Sequence, residues 1–151
     1  MIHVITVGKK HEYWVAEGIE RYAKRLAKPY TVSWELIAHS ALSGHLAAQD
    51  ESRRILERLK SDDFVILLDE RGKIIDSPAL SELLQDQFLA AQHIVIIIGG
   101  AYGVDETVQK RANFTWSLSK LVFPHQLVRL ILTEQIYRAQ SIQLGHPYHH
   151  D

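Results

Sequence analysis

The run Ile94-Val95-Ile96-Ile97-Ile98 ends directly on Gly99-Gly100-Ala101-Tyr102-Gly103. Five consecutive β-branched residues leave no polar face, so the segment reads as a buried strand. A buried strand that empties into glycines is a common way to bring bare backbone up to a nucleotide-like ligand. Two later segments, Leu118-Ser119-Lys120-Leu121-Val122-Phe123-Pro124-His125 and His146-Pro147-Tyr148-His149-His150, offer such a ligand further walls and some chemistry.

The rest of the chain alternates around that strand. Residues 2–7, 31–37 and 64–68 have strand character, and a further short strand is expected within 115–123. Helical spacing of apolar groups marks 12–26, 46–60 and 126–143, and a short helix is expected over 105–113. Pro29 lies beyond the first of these helices, residues 38–45 read as a loop, and Asp69-Glu70-Arg71-Gly72 reads as the turn that closes the third strand. Ser77 before Pro78 is the expected cap of a helix running to about Ala91. Five strands alternating with helices, without a linker or internal repeat, predict one α/β domain over residues 1–151 with a mostly parallel sheet. Ligands in such sheets sit beyond the carboxyl ends of strands, where Leu68-Asp69, Gly99-Gly100 and residues 121–123 would converge.

Composition excludes several chemistries. The chain has 151 residues, 46% of them hydrophobic, enough for one real core. With no cysteine, a disulfide framework, a Cys-type zinc site and a cysteine nucleophile are all excluded. No stretch approaches the ~20 apolar residues that span a bilayer, and residues 2–7 read as a strand rather than a signal peptide, so a cytoplasmic protein with no membrane partner is expected. The net charge of −1 does not announce a nucleic-acid binder. Its distribution is uneven: residues 1–60 hold ten basic and seven acidic groups, residues 61–151 seven and eleven. The basic clusters at Lys9-Lys10, 21–28 and 53–60 read singly as solvated helix faces. They make a phosphate-facing surface only if the fold or an oligomer brings several together.

The glycine motif is G-G-x-x-G, not the G-x-G-x-x-G of dinucleotide sites, and no acidic residue lies between Glu106 and Glu134 to hold a ribose. A Gly-Lys-Ser/Thr phosphate loop is also missing. A tight turn needing positive φ and a ligand loop explain the three glycines equally well. Glu134 and Arg138, four apart, suit an ion pair, and their apolar surroundings place it at a buried junction or an oligomer interface. The terminal histidines lack the geometry of a metal site, while Pro147 and Tyr148 are residues that stiffen and anchor a tail.

Taken in order, I-G-G-x-x-G, S-L-S-K-x-x-F-P-H-Q-L-x-R, E-Q-x-Y-R-A and the terminal P-Y-H closely resemble the RlmH family, the small SPOUT-class methyltransferases of large-subunit ribosomal RNA. The likeness spans nearly the whole chain. It implies a SPOUT α/β-knot fold, trefoil-knotted, with a mostly parallel sheet and helices on both faces. It also implies S-adenosyl-L-methionine as cofactor and a homodimer whose active site is shared between subunits. The implied substrate is a pseudouridine in helix 69 of 23S rRNA, methylated at N3 in the assembled ribosome, and DNA is not a substrate. Carried over by position, the cofactor site falls on Leu68, Gly99, Gly100, Leu118, Ser119, Lys120, Leu121, Val122 and Phe123, with Gly103 shaping the turn.

Transfer of a methyl group to a ring nitrogen needs a proton acceptor and in-line positioning, and no metal. We expect the tail to supply them: Tyr148 to stack on or hydrogen-bond the base, His149 as candidate general base, since imidazole titrates near neutral pH, and Arg138 to hold a phosphate or the tail carboxylate. His150 stands where family tails commonly carry Arg or Lys. A non-catalytic ribosome-binding α/β protein is the alternative from another class, and the intact 99–103 and 118–123 segments argue against it.

Overall fold

The computed structural model describes residues 1–150; Asp151, and with it the tail carboxylate, lies outside the described residues. The order of elements is β1 (Ile2–Val7), α1 (Tyr13–Ala23), β2 (Val32–Ile37), α2 (Gly44–Leu56), β3 (Phe64–Ile74), α3 (Ser77–Leu89), β4 (Ile94–Ile98), α4 (Glu106–Arg111), β5 (Phe114–Ser117) and α5 (His125–Gln143). The five strands form one sheet in the order β2-β1-β4-β3-β5, and every neighbouring pair is parallel.

Alternation along the strands sorts the core into two layers. Ile2, Val4, Ile66, Ile94, Ile96 and Ile98 face one side, where Leu80 and Leu84 of α3 and Leu132, Ile136 and Ala139 of α5 cover them. Ile5, Val7, Val65, Leu67, Val95 and Ile97 face the other side, against Ile55 of α2 and Val108 of α4. The 94–98 run is 0–4% exposed throughout, which only a strand central to the sheet and covered on both faces allows.

Two local expectations change. The segment 69–72 is not a turn closing a strand: it is an irregularity inside β3, where pairing with β5 breaks between Leu68 and Lys73 and resumes. Asp69 folds back to accept the backbone N–H of Arg71 at 2.9 Å, which gives the stretch its turn-like sequence. The cap of α3 is Asp76, not Ser77; its carboxylate accepts the Ala79 N–H at 2.9 Å. The Ser77 hydroxyl instead donates to Oε1 of Gln135 on α5 at 2.7 Å.

Candidate active site

The carboxyl ends of β3, β4 and β5 open onto a cavity of about 610 Å³. That is within the range of roughly 300–1,000 Å³ usual for small-molecule and cofactor sites. Its walls include Leu68, Gly99, Gly100, Leu118, Ser119, Leu121, Val122 and Phe123. Of the nine residues expected at a cofactor site, eight therefore line one space; Lys120 does not, and its side chain is exposed.

The glycines do different jobs. Gly103 has φ +74°, the left-handed turn conformation, and its N–H donates to the Gly100 carbonyl at 3.0 Å. Gly99 and Gly100 are required by close approach instead. A Cβ on Gly99 would lie 3.0 Å from Val104 Cγ1, and one on Gly100 would lie 2.6 Å from Glu51 Oε1. The turn explanation thus holds for Gly103, while Gly99 and Gly100 are crowded by the protein's own Val104 and Glu51.

After β5 the chain from 118 to 124 adopts no regular structure. Its described hydrogen bonds are local: the Leu121 N–H donates to Ser119 Oγ at 3.0 Å, and the Ser119 carbonyl accepts from Ser117 Oγ at 2.9 Å. Leu121 and Val122 are 71% and 82% exposed. A segment with main-chain polar groups unspent on secondary structure, beside uncovered apolar side chains, can hydrogen-bond the edge of a flat heterocycle and cover its face.

The tail is ordered against α5. Glu134 gathers it: Oε1 accepts from Arg138 Nη2 at 2.6 Å, from Arg138 Nε at 2.9 Å and from the Tyr148 hydroxyl at 3.2 Å. The Arg138 guanidinium lies 4.7 Å above the Tyr148 ring, whose edge meets Tyr137 at 4.7 Å. Burial, then the Tyr22 and Glu134 contacts, push the Tyr148 phenol well above its ordinary range. Arg138 Nη1 is 3.2 Å from His149 Nδ1, and with the guanidinium as donor that ring nitrogen is the acceptor. His149 and His150 line a second cavity of about 520 Å³. Trp116 and Leu118 border both cavities, so in one chain the tail lies across that wall from the first. Tyr148, His149 and Arg138 are therefore brought together, and they stand apart from the eight-residue cavity.

Several site residues escape the sequence reading. Arg71 and His125 line the first cavity, beside Asp69 of the expected strand end. The Arg71 guanidinium, bonded to Asp69 at 2.8 and 3.0 Å, holds that carboxyl below the usual carboxylate range. The sequence signals for this group were the Leu68-Asp69 strand end and the Pro124-His125 dipeptide. Glu51, 3% exposed, uses Oε2 to accept the Ser40 N–H at 2.9 Å, while Oε1 is buried without a partner behind Gly100.

A parallel sheet with a glycine turn and an irregular apolar segment around a cavity at its carboxyl edge defines an α/β protein with a space of cofactor size where such sheets commonly bind ligands. The family described as predicted SPOUT methyltransferase matches residues 1–149, and the chain belongs to it. Among similar curated proteins are those named ribosomal RNA large subunit methyltransferase H from Desulfitobacterium hafniense (strain Y51), 43% identical over 98% of both chains, and from Francisella philomiragia subsp. philomiragia, 39% identical over 98% of both. The protein of that name from Neisseria meningitidis serogroup C / serotype 2a is 40% identical over 99% of both chains. The resemblance read from the motifs is thereby borne out. A solved structure of a probable methylase family protein from Haemophilus influenzae Rd KW20 superposes with a TM-score of 0.50 at 13% identity, covering 95% of this chain and 66% of that one, a likeness of fold. No helix of the described residues is long and apolar enough to cross a membrane.

Proposed function

We propose that this protein is an S-adenosyl-L-methionine-dependent methyltransferase of 23S rRNA that methylates N3 of a pseudouridine in helix 69 of the assembled ribosome. The observation that carries this reading is the meeting of Leu68, Gly99, Gly100 and the 118–123 segment on one cavity in a chain of the SPOUT methyltransferase family. The shared name of relatives near 40% identity supports ribosomal RNA as the substrate.

The cavity's chemistry suits the cofactor. Gly99 and Gly100 keep side chains away from the strand end, and the unspent main chain of 118–123 offers donors and acceptors for an adenine edge. Leu68, Leu118 and Val122 would flank the heterocycle. S-adenosyl-L-methionine supplies an activated methyl on a sulfonium, so the protein's task is to bind, orient and take a proton. Binding and orientation fall to the cavity. The proton at N3 falls to the tail, where the His149 ring takes it at Nδ1 only by releasing Arg138. The released guanidinium is then available to an RNA phosphate, and Tyr148, kept neutral, to stack against the base.

The tail reaches a cavity most directly in a homodimer, each chain completing its partner's site. The face formed by α1 and α5 suits that contact: Trp14 is 50% exposed and shares a groove with Gly18, Leu127, Leu130, Ile131 and Glu134. Passage of α5 through a loop of the cofactor site, the trefoil knot, belongs to the same proposal. Titration calorimetry with S-adenosyl-L-methionine tests the cofactor directly. Binding at one site per chain, weakened at least tenfold by Gly99→Leu, is expected; absence of binding by the wild type would return the chain to a non-catalytic ribosome-binding role.

A further inference from the structure

The charged side chains on the wall of the first cavity all sit on one short stretch. Asp69, Glu70 and Arg71 line it, and the rest of the wall carries no acidic or basic side chain except His125. The stretch is also the irregular part of β3. Leu68 and Lys73 both pair with Trp116 of β5, so residues 69–72 loop out of the ladder. Bulges of this kind give up pairing and are frequent beside active sites, where they re-aim side chains. Because β3 lies between β4 and β5 in the sheet, the loop stands between the glycine turn and the 118–123 segment.

Inside the loop, Asp69 and Arg71 form a pair with bonding capacity to spare. Arg71 Nε donates to Asp69 Oδ1 at 3.0 Å and Nη2 donates to Oδ2 at 2.8 Å, while the Arg71 backbone N–H donates to Oδ1 at 2.9 Å. Nη1 makes no hydrogen bond among the described residues. The Asp69 side chain is 13% exposed and that of Arg71 67%, so the carboxylate is set into the wall and the guanidinium reaches toward solvent. A pair this exposed adds little to fold stability. It does keep a fixed negative charge and a fixed positive charge side by side at the edge of the cavity, and Glu70 adds a second negative charge beside them.

We propose that Asp69 and Arg71 hold the amino-acid end of the cofactor, the carboxylate taking its α-ammonium and the guanidinium its α-carboxylate. The proposal rests on the reading of this cavity as the S-adenosyl-L-methionine site. The ligand has a flat heterocycle at one end and a zwitterion at the other, and the cavity is divided in the same way, between the 118–123 segment and residues 69–71. Asp69, Glu70 and Arg71 together carry a single net negative charge, complementary to the single net positive charge of a sulfonium amino acid. An RNA phosphate suits the stretch less well, because two carboxylates beside one guanidinium oppose a bare anion.

The test is calorimetric titration of the full-length protein with S-adenosyl-L-methionine, S-adenosyl-L-homocysteine and 5′-methylthioadenosine, which keeps the nucleoside and the thioether but lacks the amino-acid end. Arg71→Met should weaken the first two about tenfold and leave 5′-methylthioadenosine within about twofold. Asp69→Asn keeps an acceptor for the Arg71 backbone N–H, and the same pattern is expected. If Asp69→Asn does not fold, Arg71→Met, whose side chain is largely exposed, decides alone. An equal loss for all three ligands would make the pair a brace of the bulge and overturns the proposal. Unchanged affinity for all three overturns it as well, and if ribosome binding then weakens, Arg71 belongs to the RNA. Wild-type protein that binds none of the three overturns the cofactor reading on which the proposal rests.

Discussion

At the scale of residues, two histidines and a tyrosine set the pH behaviour. Burial first, then Arg129, lowers the pKa of both His11 and His125. A lowered imidazole pKa means that below about 6.5 the unfolded chain binds more protons than the folded one, so stability falls as pH falls through that value. Thermal melts from pH 7.5 to 5 should therefore show a falling Tm, and the stability gap between wild type and His125→Gln should shift toward the variant; an unchanged gap would contradict the assignment. Tyr148 shifts upward, so Tyr148→Phe should remove no step from an ultraviolet titration near pH ~10, where ordinary tyrosines ionise. Glu134 joins Arg138 and Tyr148 through one oxygen. On the proposed chemistry, Glu134→Gln should slow single-turnover methyl transfer by about 10²-fold while leaving cofactor affinity intact. A loss of cofactor affinity instead would move Glu134 out of the tail's machinery.

At the scale of elements, what was legible followed from periodicity. The 94–98 run demanded a buried strand and received one, covered on both faces, and the alternating pattern gave the five parallel strands. The glycine turn and most of the 118–123 segment were legible as walls of one cavity because both follow strand ends. The 69–72 stretch was not. Its composition is that of a turn, yet tertiary pairing with β5 carries β3 through it as a bulge. Gly72 makes this possible: a Cβ there would lie 2.6 Å from the Thr115 carbonyl oxygen and 2.8 Å from the Trp116 nitrogen. Because backbone cannot swing aside, Gly72→Ala should destabilise by roughly 1–3 kcal/mol in chemical denaturation, and a neutral result would contradict the register. Arg129 and Glu51 were illegible for a different reason. Each sits on a helix, where a charged side chain is ordinarily solvated, and only the fold reveals that it is buried.

At the scale of the whole molecule, the cavity and the tail lie on opposite sides of a wall formed by Trp116 and Leu118. On the proposed function, a second copy docked through the α1–α5 face unites them. Trp14→Glu should turn a sedimenting dimer into a monomer that still binds cofactor but no longer transfers methyl; a dimer that survives would move the contact elsewhere. The central claim is tested most directly by incubating the protein with ribosomes lacking the modification and labelled S-adenosyl-L-methionine, then locating the label by mass spectrometry. One methyl group at N3 of a pseudouridine in helix 69 of 23S rRNA is the expected result. Label at another nucleotide, or none in ribosomes that the protein binds, would contradict it.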